Sequence, residues 1–113
     1  MTRTDRVMQL LGLARRAGAL APGTEAVRHA IRGGQSRLVL FATDASQVQL
    51  DKIGRTLHGR EIPTARLGNR NALGAAVGLA PLSAVAVTSA PLAEQMVAEL
   101  GDLLVDDSVA VEG

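Results

Sequence analysis

Residues 22–25, which begin with a proline and a glycine, are the part of the sequence best suited to hold an anion. A glycine just before a helix lets backbone amides approach a ligand closely, and the first N–H groups of a helix favour negative charge. Basic side chains flank this segment on both sides, namely Arg15, Arg16, Arg28, His29, Arg32 and Arg37. These residue types predict a surface that contacts phosphate groups around one helix N-terminus. They also fit a capped surface helix with solvated charges, in which Glu25 pairs with Arg28 or His29.

Asp44 is the carboxylate whose position best fits a catalytic group. It follows a buried apolar run, and α/β enzymes often keep carboxylates at the ends of strands. General acid–base catalysis needs converging titratable groups, and the sequence places no other carboxylate or histidine to act with Asp44. We therefore expect no catalytic residue, with Asp44 capping or bracing the turn before the next helix. A small α/β enzyme that uses Asp44 stays open as an alternative.

The composition excludes several kinds of site. The 113 residues include no cysteine and two histidines, which rules out a thiol nucleophile, a cysteine zinc site and a histidine-only metal site. A single Phe without Trp or Tyr disfavours base recognition by aromatic stacking. The glycines of 68–78 lack the strand–GxGxxG–helix order of a phosphate-binding loop. We therefore expect no cofactor and no metal, and no apolar run approaches the roughly 18 residues of a membrane span.

Charge is distributed unevenly along the chain. Residues 1–70 hold all twelve basic residues and five acidic ones, a net charge of +7, whereas residues 71–113 hold six acids and no base, a net charge of −6. Such segregation favours a surface at one end of the chain that faces a polyanion. The acidic part can equally be a solubilising C-terminal helix and tail.

Helices and strands are predicted to alternate at short intervals. Apolar spacing and turn residues predict helices near 4–17, 24–33, 46–58, 69–77 and 90–104, and strands near 19–22, 37–42, 64–67 and 83–88. The expected helix caps are Thr4, Thr24, Ser46 or Asp44, Asn69 or Asn71, and Ser89. This order is typical of an α/β sandwich with a mostly parallel or mixed sheet. We expect one domain over 1–104, followed by an acidic, frayed tail at 105–113.

The helices are expected to bury one face each. The i, i+3, i+4 pattern selects these inward residues: Val7, Leu10, Leu11 and Ala14 in the first helix, Val27, Ala30 and Ile31 in the second, and Leu50, Ile53 and Leu57 in the third. The run at 37–42 is apolar at every position after Arg37, which predicts a central strand that is buried on both faces.

Several stretches carry a family resemblance. They are LLGLARRAGAL at 10–20, GTEAVRHAIRGG at 23–34, RLVLFATDAS at 37–46, and LGAAVG at 73–78 with SAVAVTS at 83–89. In this order and spacing they resemble the ribosomal protein L-seven-Ae family of kink-turn RNA-binding proteins, and within it the small bacterial YlxQ-type members. The resemblance covers residues 5–104.

The resemblance implies a three-layer α/β/α sandwich with a mixed four-stranded sheet. In the family, the glycine-led start of the second helix enters the widened groove of a kink-turn and reads sheared G·A pairs. Gly23 and Thr24 match the first two positions of that motif. Glu25 stands where the strongest RNA binders have Asn, Ala26 where they have Glu, and His29 where they have Lys.

The resemblance also implies a second contact in the loop before the last strand. In the family this loop packs on the flipped-out nucleotide of the kink-turn, and here it is formed by Leu79, Ala80, Pro81, Leu82 and Ser83. The residue types and the resemblance, taken together, give these expected RNA-binding residues: Gly23, Thr24, Glu25, Arg28, His29, Arg32, Arg15, Arg16, Leu82 and Ser83.

The sequence thus predicts a non-enzymatic, cytoplasmic RNA-binding protein that recognises kink-turn-like RNA in ribosome assembly or translation. Its expected partners are structured RNA, such as ribosomal RNA, and ribosomal or ribonucleoprotein proteins, with no membrane contact and a free protein that is monomeric. The alternative is a protein-interaction or scaffold module of the same fold that has lost specific RNA contacts and docks through its acidic C-terminal third.

Overall fold

The structure is a computed structural model that describes residues 1–105. Its elements follow the chain in this order: α1 (Arg3–Arg16), β1 (Leu20–Pro22), α2 (Thr24–Arg32), β2 (Leu38–Phe41), α3 (Gln47–Leu57), β3 (Thr64–Arg66), α4 (Arg70–Ala76), β4 (Ala84–Val87), α5 (Ala90–Leu100), a 3₁₀ turn (Gly101–Leu103) and β5 (Leu104–Val105). The expected tail begins at Val105, the second residue of β5, and its other residues lie outside the described part.

The strands form one mixed sheet in the order β1-β4-β2-β3-β5. Strands β2 and β3 pair in parallel, with Val39 opposite Thr64, whereas β4 runs antiparallel to both β2 and β1. The predicted mixed sheet of four strands is therefore confirmed. The two-residue β5 extends it by pairing antiparallel with β3.

Alternating residues of the central strand β2 separate two hydrophobic layers. Leu38 and Leu40 belong to the cluster that α1, α4 and α5 cover, and Val39 and Phe41 belong to the cluster under α2 and α3. Side chains alternate between the faces of a strand, so a run that is apolar throughout requires helices on both sides. The predicted α/β/α sandwich with β2 at its centre is confirmed.

The first helix begins one residue earlier than its expected cap. Thr2 is the N-cap: its hydroxyl accepts from the Asp5 N–H at 3.0 Å, and the Asp5 carboxylate accepts from the Thr2 N–H at 3.2 Å. This reciprocal pair is a capping box, and the bond from the Thr2 N–H holds the pKa of Asp5 below its usual value. The prediction that Thr4 caps the helix is wrong, because a threonine two residues earlier completes the box with Asp5.

The other helix ends follow the expectations in part. Three caps are confirmed, namely Ser46, Asn69 and Ser89, each of which accepts a backbone N–H three residues on. Thr24 is not a cap; it is the first helical residue of α2, and Gly23 precedes it as the N-cap. Helix α5 ends at Leu100 instead of near 104, because Gly101 takes a φ of +52° and starts the 3₁₀ turn.

The strand directions give the sheet two distinct ends. The starts of β1, β2 and β3 lie together at what we call the amino end, next to residues 15–19, 32–37 and 58–63. Their ends lie together at the carboxyl end, next to residues 22–25, 42–46, 67–70 and 79–83. None of the helices in residues 1–105 has the length and apolarity needed to cross a bilayer.

Candidate nucleic-acid interface

The start of α2 lies at the carboxyl end of the sheet and carries no side-chain cap. Gly23 adopts φ +93° and ψ 160°, a conformation that is essentially confined to glycine. Its own N–H donates to the Ala84 carbonyl of β4 at 2.9 Å, which fixes the turn to the sheet. The other four α-helices of the described chain each have a side-chain cap. The first amides of α2 therefore have no intramolecular side-chain acceptor, as an anion-accepting helix start requires.

The loop at 79–83 lies directly beside this helix start. A β-carbon built on Gly23 would lie 3.8 Å from Cδ2 of Leu82. The Leu82 N–H donates to the Arg70 carbonyl at 3.1 Å, and the Ser83 carbonyl accepts from the Ala42 N–H at 2.8 Å. The structure thus brings together two segments that lie about sixty positions apart in the sequence and that the family resemblance assigns to the same RNA.

Gly74 in α4 determines how closely this loop approaches. A β-carbon at Gly74 would overlap the Ala80 carbonyl group and come within 2.8 Å of the Leu79 carbonyl oxygen. The side chains of Leu79, Ala80 and Pro81 are exposed on the outside of the loop. An exposed apolar loop next to free helix amides can pack on a base while the amides face phosphate.

Glu25 and Arg28 form the ion pair that the sequence left open. The Arg28 Nη1 lies 3.2 Å from Oε2 of Glu25, and the Arg28 Nε donates to the Thr56 hydroxyl of α3 at 3.0 Å. These contacts draw Arg28 toward α3 and leave its side chain 22% exposed, whereas Glu25 is 73% exposed. An RNA that uses Arg28 has to compete with both contacts.

The basic residues that the sequence placed around one helix start do not all lie there. Arg15 and Arg16 end α1, Arg32 ends α2, and Arg37 precedes β2, so all four lie toward the amino end of the sheet. His29, in the second turn of α2 on its β1 side, lines a groove with Ala26 and Arg37. The basic residues are divided in this way because α2 runs the length of the sheet, so its first and last turns lie at opposite ends of the sheet.

Asp44 braces a different helix from the one expected. Its Oδ1 accepts the backbone N–H of Arg70 at 2.8 Å, and its Oδ2 lies 3.5 Å from the Arg70 Nε. The bond from the Arg70 N–H, aided by the guanidinium, holds the pKa of the Asp44 carboxyl below its usual value. The expectation that Asp44 braces the turn before α3 is wrong, because Ser46 caps that helix and Asp44 reaches across to α4.

Arg70 is the residue at this surface that the sequence reasoning missed. Its carbonyl holds Leu82, its N–H holds Asp44, and its side chain is half exposed at the carboxyl end. The predicted strand–helix–strand order over 37–67 is the sequence signal that could have found it. Two strands joined by a helix commonly pair in parallel, and the residues that follow them then meet at one end of the sheet.

The acidic C-terminal part is partly neutralised by α1. Arg3 Nη1 lies 3.1 Å from Asp102 Oδ1, and Arg6 Nε lies 2.8 Å from Glu99 Oε2. Two of the three acidic residues that the structure describes after position 70 are therefore paired with bases from the other half of the chain. Among residues 1–105 no group of three or more His, Asp or Glu side chains converges to hold a metal ion.

Comparison with known proteins connects this geometry to a family. The model of the Ribosomal protein L7Ae/L30e/S12e/Gadd45 family matches residues 5–97. A Bacillus subtilis (strain 168) protein named RNA-binding protein YlxQ is 32% identical over 91 residues, which are 80% of this chain and 91% of that protein.

Two solved structures have the same fold. A protein of unknown function from Bacillus halodurans C superposes with a TM-score of 0.77 at 33% identity, over 83% of this chain and 95% of that one. The Giardia lamblia 15.5kD RNA binding protein superposes with a TM-score of 0.75 at 18% identity, over 89% of each chain. At that lower identity the likeness shows the fold alone.

Proposed function

The chain belongs to the ribosomal protein L7Ae/L30e/S12e/Gadd45 family, and from this premise we propose that it is a non-enzymatic RNA-binding protein. It recognises kink-turn-like RNA through the carboxyl end of its sheet, in ribosome assembly or translation. The observation that carries the proposal is the uncapped start of α2 at Gly23, set against the apolar loop at 79–83.

Gly23 and Thr24 supply the backbone contacts. With no β-carbon at Gly23, the RNA backbone can approach the first N–H groups of α2, where the helix dipole favours the negative charge of phosphate. Leu82 anchors the loop to the start of α4, and Ser83 anchors it to Ala42 after β2, so that the apolar tip is held ready for an unstacked base. Arg70, whose carbonyl accepts from the Leu82 N–H, adds a half-exposed cation next to the same loop.

The base-reading chemistry differs from that of the strongest RNA binders. The Glu25 carboxylate can accept a hydrogen bond from a guanine amino group, whereas Ala26 offers no polar atom. His29 offers ring nitrogens for a hydrogen bond where the strongest RNA binders have a lysine ammonium group. Recognition therefore relies on the shape of bent RNA and on phosphate contacts more than on direct base reading.

The scaffold alternative depends on an acidic docking face in the C-terminal third. The ion pairs of Glu99 with Arg6 and of Asp102 with Arg3 use charges that such a face would need. The enzyme alternative depends on Asp44, whose two carboxylate oxygens already contact Arg70. Both observations favour the RNA-binding proposal over these alternatives.

The test is a titration of the full chain with a kink-turn RNA and with a straight duplex of the same length. We expect tighter binding to the kink-turn, and phosphate contacts predict that log affinity falls as log salt rises. Equal affinity for the two RNAs contradicts kink-turn recognition. A slope near zero contradicts polyanion binding and favours the scaffold.

A further inference from the structure

The amino end of the sheet gathers basic side chains that the proposed site does not use. They are Arg15, Arg32, Arg37 and Arg60, and none of them pairs with an acidic side chain within residues 1–105. The side chain of Arg16 instead folds back along α1 toward Gly12. Arg37 and Arg60 line one cleft of about 260 Å³, between the end of α2 and the segment before β3. This volume lies below the 300–1,000 Å³ that is typical of small-molecule pockets, so the cleft suits a surface group such as a phosphate.

Arg60 is held in place by the backbone. Its Nη1 donates to the Ile31 carbonyl in the last turn of α2 at 2.6 Å. A guanidinium has five N–H donors in a fixed fork, so this one bond orients the group and leaves other donors available. An arginine that is anchored in this way loses less side-chain entropy when it binds an anion.

Arg37 connects the cleft with the neighbouring groove along β1. Its N–H donates to the Val87 carbonyl at 2.8 Å, which fixes its backbone, while its side chain is exposed. It lines the cleft together with Arg60 and the β1 groove together with His29. Basic side chains thus extend across the amino end of the sheet far enough to contact more than one phosphate group.

Ser36 is the second, independent observation at this cleft. It lines the cleft, it is 5% exposed, and its Oγ is buried without a hydrogen-bond partner in the described chain. Buried hydroxyls nearly always have a partner, and an orphaned one calls for a missing ligand or water. One carboxylate, Glu61, also lines the cleft and opposes an anion there.

We infer that the amino end of the sheet is a second RNA contact, which binds the phosphate backbone of a duplex stem that flanks the bent RNA. The inference rests on the proposed function. The nine residues of α2 separate the two contacts by about 14 Å at 1.5 Å per residue. An RNA held at Gly23 can therefore reach Arg32, Arg37 and Arg60 only if its stem continues along α2.

Two RNAs with the same kink-turn, one with a short flanking stem and one with that stem extended by a helical turn, test the inference. We expect the full chain to bind the long-stem RNA more tightly and with a steeper salt dependence. Arg32→Ala and Arg37→Ala should each lower that slope by about 0.9 on the long stem, since each removes one phosphate contact. Neither should change binding to the short stem. Arg55→Ala, an equal charge loss on the exposed side of α3, is the matched control and should affect both RNAs alike.

The outcomes separate this inference from the proposed function. The second contact is contradicted if the wild type binds the two RNAs equally. It is also contradicted if Arg32→Ala and Arg37→Ala reduce the affinity and the salt slope on both RNAs only as much as Arg55→Ala does. If the amino end instead binds an acidic protein partner, RNA affinity should likewise not depend on the length of the stem. If the short kink-turn is bound no better than a straight duplex, the proposed function fails, and the Arg37→Ala slope on a long straight duplex still tests the second contact.

Discussion

Gly23 and Leu82 face each other across the carboxyl end of the sheet, with 3.8 Å between a β-carbon built on Gly23 and Cδ2 of Leu82. The gap is ordinary van der Waals distance, so Gly23 is required here by its φ of +93° and not by crowding. This relationship joins the free amides of α2 to the apolar loop, and a substitution at Gly23 therefore acts on both.

Gly23→Ala should lower the free energy of unfolding by about 1–3 kcal/mol, because alanine is strained at this φ and ψ. It should also weaken kink-turn binding by more than the loss of folded protein explains, since the added methyl group stands between the RNA and the amides. Chemical denaturation and RNA titration measure the two effects. Gly59→Ala is the control, because Gly59 has a φ of +77° and open space around its α-carbon. Equal RNA affinity of Gly23→Ala and wild type, after correction for folding, contradicts the site.

Gly74→Ala should displace the loop at 79–83, because the new β-carbon overlaps the backbone of Ala80. Overpacking of this kind costs about 1–3 kcal/mol, and kink-turn affinity should fall although Gly74 touches no RNA. Gly54→Ala in α3 meets no atom within 4 Å and should instead stabilise the protein by about 0.5–1 kcal/mol. Unchanged RNA affinity in a measurably destabilised Gly74→Ala variant argues against a role for the loop.

Glu25 and Ala26 test whether this surface enters the groove of a kink-turn. The double change Glu25→Asn with Ala26→Glu rebuilds the pair that the strongest RNA binders carry, and it also releases Arg28 from its ion pair. We expect kink-turn affinity to rise about tenfold or more, since each restored bidentate contact contributes about 1–3 kcal/mol. Affinity for a straight duplex should change little.

Glu25→Gln is the companion measurement for that pair. It should weaken the kink-turn selectively if the carboxylate accepts from a guanine amino group. A uniform gain for both RNAs means that Glu25 is a solvated charge near a polyanion. If the double change alters the affinity for neither RNA, this surface does not enter the groove of the kink-turn.

The Asp44–Arg70 contact predicts a stability that depends on pH. The folded pKa of Asp44 lies below 3.8, so the contact stabilises the protein above that pH and is lost as the pH falls through the folded value. Thermal unfolding of Asp44→Asn should therefore show a lower Tm than wild type at pH 6, and the difference should shrink below pH 4. Arg70→Ala should keep most of this dependence, because the backbone N–H of residue 70 is the main cause of the shift. A Tm difference that persists unchanged at pH 2 contradicts the assignment.

The order of elements and the layers were available from the sequence because both depend on local periodicity. Continuous apolar residues from Leu38 to Ala42 predicted a strand buried on both faces, and the spacing of Val27, Ala30 and Ile31 predicted one buried helix face. Both are confirmed. Caps were predictable where a side chain reaches three residues along the chain, as with Ser46, but the Thr2–Asp5 box was missed because Thr4 offered a competing local fit.

The composition of the candidate site depended on the direction in which each strand runs. Gly23, Leu82 and Arg70 meet because β1 ends, β4 begins and β3 ends at the same end of the sheet. Residue types alone grouped Gly23 with Arg37, but the length of α2 separates these two residues, which lie at opposite ends of the sheet. The hydrophobic pattern within one strand is the same in both directions, so this pattern alone does not say which end of the sheet the strand reaches. Pairing between distant strands makes that choice, and it decides which charges share a surface.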